Sequence, residues 1–476
     1  MTTYGTITRQ VIDELTAIVG PRNLIRDEEK MQPYAHDETP EEQYSHMPGV
    51  VVTPTDAQQV AAIVKLAVKY LIPVTPRGAG SGLSGGAIPV YGGILLSLEK
   101  MNRVVEIDYA NMMIVVEPGL VTNEINALVA DQGLFFAGYP MSLESCFVGG
   151  NIAENAGGGK AVKYGVTGQY IMGLELVTPE GEIVTLGGKN VKDVTGYDLK
   201  RLIIGSEGTL GIVTQATIKL SPLPKYKSDL LVLFEDVAGA IDAVPVIFSK
   251  GGITPTSIEF MDKLSVHTAC AYLNEHLPYQ QAGAMLLIEV DGSDQEQVDL
   301  DAERIGELLM THGAIEVYVS DNHTTQERVW SVRRNIAEAF KVYSPHQSLE
   351  DIVVPIAAIP ALMPLVDAIS KKYNIAMPTY GHAGDGNLHT TLVKNPESTM
   401  DEWYAVEEQA VNELYDAVRS LGGKISGEHG IGLKRKPFMQ RLTDPVELKL
   451  MRAVKRAFDP HNIMNPGKLF DVEEQA

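Results

Sequence analysis

Cysteine is almost absent: Cys146 and Cys270 are the two in a chain of 476 residues. Two thiols cannot build a disulfide framework, a four-cysteine zinc site or a thiolate-held iron–sulfur cluster. Neither has an adjacent basic group to lower its pKa, so both read as core residues. Basic residues are few as well. Lys and Arg number 39 against 61 Asp and Glu, a formal net charge of −22. That balance speaks against a nucleic-acid partner, because phosphate binding needs a basic face. A small anionic substrate would need a cation placed locally in a cleft. Long hydrophobic runs are also missing, since nothing uncharged approaches the roughly 18 residues that span a bilayer. The opening stretch MTTYGTITRQVIDEL lacks the basic and then apolar regions of a secretory signal. The expectation is a cytoplasmic chain with no direct membrane insertion.

What is present is ordinary globular composition, 45% apolar and 21% charged. That excludes a disordered or collagen-like chain, and at about 150 residues per domain the length fits two or three domains. Residues 49–53 (GVVVT) are a β-branched run. Asp56 can cap the next segment, where Val60, Ile63, Val64, Ala67 and Val68 fall at helical spacing. Residues 72–75 are extended again, so strand, helix, strand predicts a parallel crossover. Further strands are predicted at 94–98, 113–117 and 174–178, the last opening a hairpin that turns at Pro179-Glu180-Gly181. Prolines and lysines at 220–227 (LSPLPKYK) mark a boundary. Beyond it, longer helical stretches and strands such as 284–290 (AMLLIEV) predict a second α+β domain.

Glycine is concentrated in loops. Residues 76–86 (PRGAGSGLSGG) follow a predicted strand and contain G-x-G-x-x-G at 80–85. A dinucleotide fold needs a helix directly afterwards, and Gly86-Ala87-Ile88-Pro89-Val90-Tyr91-Gly92-Gly93 cannot supply one. The loop can still turn backbone N–H groups toward an anion such as a pyrophosphate. Residues 146–160 (CFVGGNIAENAGGGK) and 205–212 (GSEGTLGI) are equally bare. Each alone reads as a plain turn; together, the three loops predict one large ring-bearing cofactor. Residues 381–389 (GHAGDGNLH) and 426–432 (SGEHGIG) hold three of the eleven histidines and one glutamate. Imidazoles with a carboxylate suit a divalent metal such as zinc, iron or manganese. A single loop histidine would more simply bond to backbone. In Trp330-Ser331-Val332-Arg333-Arg334, adjacent arginines on a helix point about 100° apart, so one can face a cleft while the other meets solvent.

In this order, PRGAGSGLSGG, GGNIAENAGG, KYGVTG, KDVTGYDLKRLIIGSEGTLGI, GHAGDGNLH, SGEHGIG and the late NPGK resemble the flavin-dependent 2-hydroxy acid dehydrogenases of the vanillyl-alcohol-oxidase/PCMH superfamily. That group includes D-lactate dehydrogenases, the glycolate oxidase flavin subunit and D-2-hydroxyglutarate dehydrogenase. The resemblance runs from about Tyr34 to Leu469 and implies an α+β fold: a PCMH-type two-subdomain FAD-binding domain at 1–222, a substrate (cap) domain with an antiparallel sheet at 223–419, and a segment at 420–476 that packs back on the FAD domain and completes the active site. It implies FAD phosphate contacts at Pro76, Arg77, Gly78, Ala79, Gly80, Ser81, Gly82 and Ser84. Contacts near the ribityl chain and ring would come from Gly149, Gly150, Asn151, Ala153, Gly157, Lys163 and Gly165. Glu207 and Ile212 would lie on the adenine side, and Asn465 would close the site. Some superfamily members tether flavin through a histidine in the first loop; Ser81 in that neighbourhood implies non-covalent FAD.

For the active site the resemblance implies His382, His389 and Glu428 as metal ligands, His429 as base and Arg333 as carboxylate anchor. Thr391 and Leu349 stand where family members acting on a dicarboxylate place polar groups, which favours a short acid. The expected function is oxidation of a short 2-hydroxy acid, D-lactate foremost, to the 2-oxo acid by hydride transfer to FAD. Electrons would then pass to a protein acceptor, an electron-transfer flavoprotein or an iron–sulfur subunit. Glycolate oxidase flavin subunit and D-2-hydroxyglutarate dehydrogenase are the alternatives within the group. An electron-transfer flavin subunit without its own substrate and a non-catalytic metal or anion binder are rivals from other classes.

Overall fold

Val50–Val52 is a buried strand, and four residues later the Asp56 carboxylate accepts from Gln59 N at 2.8 Å, starting helix Ala57–Tyr70. Such a cap is worth about 1 kcal/mol. The helix buries Val60, Ile63, Val64 and Ala67, the stripe read from the sequence, and ends at Leu71 in the left-handed conformation. Strand Val74–Arg77 follows. The two strands are not neighbours, however: Ile94–Ser97 lies between them and pairs in parallel with both, Leu95 opposite Val51 and Thr75. Ile94–Ser97 is buried along its whole length, and a run apolar on both faces takes the centre of a parallel sheet.

The computed structural model describes residues 3–472 apart from 276, 278 and 321. Their contacts divide the chain into two compact units. The first comprises Met1–Gly158, Val166–Pro222 and Glu428–Ala476; the second comprises Gly159–Gly165 and Leu223–Gly427. The break at Pro222 lies inside the Pro- and Lys-rich stretch, the last segment joins the first unit from Glu428, and a seven-residue piece of the second Gly-rich region goes with the second unit.

Among the described residues the first unit holds a small sheet in the order Leu24–Ile25, Val50–Val52, Ile94–Ser97, Val74–Arg77, and an antiparallel five-stranded sheet. The latter runs Val104–Asp108, Met113–Val116, Ile212–Lys219, Ile171–Val177, Ile183–Gly187. Its last two strands are the predicted hairpin. Val11, Leu15, Ile63, Val64, Val74, Ile94 and Leu96 form the centre of a core shared by two helices and the small sheet, each burial contributing about 1.5–3 kcal/mol.

The second unit is built on an antiparallel sheet of seven described strands, in the order Ala314–Ser320, Tyr226–Phe234, Ala284–Gly292, Ser257–Asp262, Thr379–His382, Asn387–Val393, Gln347–Val353. Its register matters for function. Glu259 sits opposite His382, and His382 opposite Asn387. One row over, Met261, Tyr380, His389 and Asp351 are successive partners. Since alternate residues share a face, both rows present these side chains on one side of the sheet. Trp330, Val332 and Phe340 pack on that side with Met261, Met285, Leu287 and Tyr380. No helix among the described residues is long and apolar enough to cross a membrane.

Candidate active site

In the first unit a cavity of about 290 Å³ is lined by residues 76–83 from the first Gly-rich loop, parts of 146–157, parts of 203–213, and Glu428 with His429. The expected cofactor positions from Pro76 to Gly82, together with Gly149, Gly150, Asn151, Ala153, Gly157, Glu207 and Ile212, all lie on its wall. The loops run close together: a Cβ on Gly78 would make ordinary contact, 3.4 Å from Gly150 N and 3.6 Å from its Cα. A Cβ on Gly150 would meet nothing within 4 Å, so bare main chain faces the open space there.

Several expected cofactor residues act on the frame instead. The Arg77 guanidinium turns from the cavity to the carbonyls of His36 and Pro33, at 2.7 and 3.0 Å. The Asn151 amide donates inward to Thr122 Oγ1 at 2.7 Å. Glu207 accepts from the N–H groups of Ile431 and Gly432, both at 2.7 Å, and so grips the last segment of the unit. Asn465 donates to the carbonyls of Gly86 and Glu207. Ser84, Lys163, Gly165 and Asn465 are not on the cavity wall. Lys163 and Gly165 belong to the second unit, where Lys163 and the Tyr164 hydroxyl both bond to Asp291.

Sequence reasoning missed two acids of this cavity. Asp37 and Glu154 both line it. Burial, followed by the nearby charges of Glu207 and Asp37, holds the Glu154 carboxyl well above the usual carboxylate range. Glu207 is also raised, by burial, against the pull of its two N–H donors. Glu428 and His429 stand side by side with Oε1 and Nε2 3.7 Å apart.

In the second unit, with His389 one row over from His382, His382 from the sheet and Arg333 from helix His323–Arg334 converge on a residue not expected there, Glu259. Its Oε1 lies 2.6 Å from His382 Nδ1, and its Oε2 lies 2.7 Å from both Nε and Nη2 of Arg333. Burial would raise the Glu259 carboxyl, but the charges of His382 and Arg333 and their hydrogen bonds prevail and hold it down at about 2. The Arg333 guanidinium also lies 4.9 Å over the Tyr380 ring, a cation–π contact. Arg334, the next residue on helix His323–Arg334, is exposed and pairs with Glu327 at 2.8 Å. The rings of His382 and His389 stand perpendicular, with centroids 5.3 Å apart. Two imidazoles on one tetrahedral ion, at metal–nitrogen distances of about 2.0–2.1 Å, would place their centroids about 5 Å apart, so the pair fits a shared divalent ion. Beside His389, Asp351 accepts from Asn387 Nδ2 at 2.7 Å, Ser426 Oγ at 2.7 Å and Gly427 N at 2.9 Å. A lone Glu within the apolar run SIEFM was the sequence signal for Glu259.

Residues 48–187 match a family described as FAD binding domain, and residues 223–469 match FAD linked oxidases, C-terminal domain. The chain belongs to the FAD-linked oxidases. This FAD-linked oxidase is 39% identical over 464 residues to the glycolate oxidase subunit GlcD of Bacillus subtilis (strain 168), covering 98% of this chain and 97% of that one. It is 36% identical to a D-lactate dehydrogenase of Anaerostipes hadrus, over 98% of each chain. Its fold is that of p-cresol methylhydroxylase, solved with substrate bound, with a TM-score of 0.80 and 21% identity over the whole of both chains. The α+β, PCMH-type architecture is thus the one observed, and the chain is an FAD-dependent oxidoreductase. The glycine stretches around Gly78 and Gly150 leave main chain on part of the wall of the first unit's cavity, which fits a flat ring and a polyphosphate held by main chain.

Proposed function

We propose that this oxidoreductase converts a short 2-hydroxy acid, D-lactate foremost, to the 2-oxo acid and delivers the electrons to a protein acceptor. The observation that carries the reading is the position of His429: an imidazole beside a carboxylate on the wall of the glycine-rich cavity of the first unit. An imidazole at that wall can act as general base toward the hydroxyl proton of a substrate. The relatives named glycolate oxidase subunit and D-lactate dehydrogenase take their names from small 2-hydroxy acids.

FAD, held without a covalent bond, supplies the hydride acceptor when bound. The segments at 76–82, 149–157 and 207–212 would hold it. Arg333 would bind the substrate carboxylate. Its Nε and one Nη2 proton are engaged by Glu259, and a guanidinium has five N–H donors, so its outer end can still present parallel hydrogen bonds. His382 and His389 would hold a divalent metal, zinc, iron or manganese, with Glu428 added from the sequence resemblance. Such an ion supplies Lewis acidity that lowers the pKa of a bound hydroxyl. Leu349 opposite Thr391 on the sheet offers an apolar side chain rather than a second cation, which fits a substrate with one carboxylate.

The test is anaerobic mixing of the purified yellow protein with a panel of D- and L-2-hydroxy acids. Bleaching of the flavin by D-lactate, with glycolate slower and 2-hydroxyglutarate slowest, is the expected result. A flavin that no hydroxy acid bleaches would instead make the chain an electron-transfer subunit. Acid precipitation should leave the chromophore in the supernatant; a yellow pellet would contradict non-covalent FAD.

A further inference from the structure

Glu259 has no assigned role, yet it occupies the centre of the polar end of the second unit's sheet. It is fully buried, and each carboxylate oxygen serves a different cation-capable side chain, Oε1 for His382 and Oε2 for Arg333. Apolar side chains, among them Met261, Trp330, Val332 and Phe340, pack on the same side of the sheet. An ion cluster in such a place is costly, because desolvation offsets much of the Coulomb gain, and an apolar set of similar volume is often as stable. The backbone closes over the pair: a Cβ on Gly159 would come 2.4 Å from Glu259 Oε1 and 3.3 Å from His382 Nδ1. No side chain fits between that segment and the two residues, so the geometry is held from the strand side and from above.

We propose that Glu259 is a positioning residue that fixes the proton of His382 on Nδ1 and thereby directs Nε2 as the metal-ligating nitrogen, while the same carboxylate holds Arg333 in register with it. Arg333 holds Glu259 as a carboxylate through two N–H donors on Oε2, so the 2.6 Å contact of Oε1 with Nδ1 pairs an acceptor with an Nδ1–H. A ligating histidine is tuned by the partner of its other nitrogen, and loss of that partner typically costs 10–100-fold in metal affinity. Because Oε2 anchors Arg333 through two donors, the ligand and the carboxylate anchor are tied to one rigid strand position. The proposal rests on the reading of His382 as a metal ligand, and the experiment separates the two.

The protein is prepared FAD-loaded with ¹⁵N-labelled histidine, metal-free and with zinc added, and His382 is assigned by difference from His382→Gln. In the metal-free parent, a protonated Nδ1 is expected. An Nε2–H tautomer with bare Nδ1 overturns the proposal whatever the metal does. In Glu259→Gln, whose amide can donate to Nδ1, the proton should move to Nε2. Zinc affinity should fall at least 10-fold with FAD content unchanged. Affinity within twofold of the parent, in a variant that keeps its FAD, overturns the role. Should Glu259→Gln fail to fold, Glu259→Asp and the parent spectrum decide instead. If the parent shows the Nδ1 proton but binds no metal, Glu259 positions His382 as proposed and the metal reading of the site is what fails.

Discussion

Asn465 Nδ2 donates to the main-chain carbonyl of Glu207 at 2.8 Å across 258 residues of chain, and to that of Gly86 at 2.9 Å. One amide therefore staples the first Gly-rich loop to the third, both of which line the cavity of the first unit. Asn465→Ala leaves two buried carbonyls without this donor, at about 1–3 kcal/mol each. The variant should melt several degrees lower and lose FAD on dialysis that the parent survives. FAD retention equal to the parent's would show that the loops hold their spacing without the staple.

Lys468 lies close by, buried, with its Nζ on the carbonyl of Ile88 at 2.6 Å. Burial pushes its ammonium down to about 7, against the pull of Glu207 and Asp37. Unfolded, it titrates near 10.5. Between those values the unfolded chain holds a proton that the folded chain has released, so this residue makes stability rise with pH. Below pH 7 the full cost of the buried charge is present. Lys468→Met should therefore gain on the parent most at pH 6 and progressively less toward pH 10, on top of a constant loss from the missing hydrogen bond. Melting temperatures of both proteins, FAD-saturated, across that range test it; a difference independent of pH would refute the assignment.

These residues show what could be read ahead of the structure. The helix at Ala57–Tyr70 was legible because its cap and its apolar period are local. The place of Ile94–Ser97 between two earlier strands was not, since a sheet order is a long-range competition that no window of sequence displays. Glycine loops announced the cavity because a chain that must pass another backbone at contact distance has few other residues to use. Side-chain direction stayed hidden. Arg77 turns to carbonyls 41 and 44 residues upstream, and Glu207 to amides more than two hundred residues downstream. Glu259 carried a signal, a lone acid within the apolar run SIEFM, but its partners come from a helix and a strand over seventy residues away.

Asp229 on strand Tyr226–Phe234 is paired more weakly: the Lys227 ammonium stands 4.0 Å away, and the Trp330 side chain offsets its burial only in part. Burial, then the neighbouring Glu289 charge, pushes Asp229 up to about 6 from 3.8. A raised carboxyl stabilises the fold below its unfolded value and loses that contribution as pH rises through about 6. Asp229→Asn should thus be neutral at pH 3.5 and stabilising by on the order of 2 kcal/mol at pH 7.5. Denaturant midpoints at the two pH values check it, and a variant less stable than the parent at pH 7.5 would mean that the Lys227 pairing outweighs burial.

Arg333 and Arg334 provide an internal comparison for the substrate anchor. They are consecutive on one helix, so their side chains diverge by about 100°, and the structure buries the first while the second is exposed beside Glu327. Arg334→Ala removes an exposed ion pair worth about 0.2–1 kcal/mol and should change neither stability nor flavin reduction by more than about twofold. Arg333→Ala leaves the Glu259 carboxylate buried with His382 as its remaining partner. Breaking such a pair costs about 3–5 kcal/mol, so the melting temperature should drop clearly. Removal of the anchor should also raise the D-lactate concentration for half-maximal flavin reduction at least 30-fold, the equivalent of about 2 kcal/mol. Arg333→Lys separates charge from shape: it keeps the cation but loses the two-donor contact with Glu259 Oε2. Its stability should recover in part while substrate affinity stays low. If Arg333→Lys restores both, charge alone suffices. If Arg333→Ala loses stability yet reduces its flavin at the parent's lactate concentration, Arg333 is a structural partner of Glu259 and the substrate carboxylate is bound by another group.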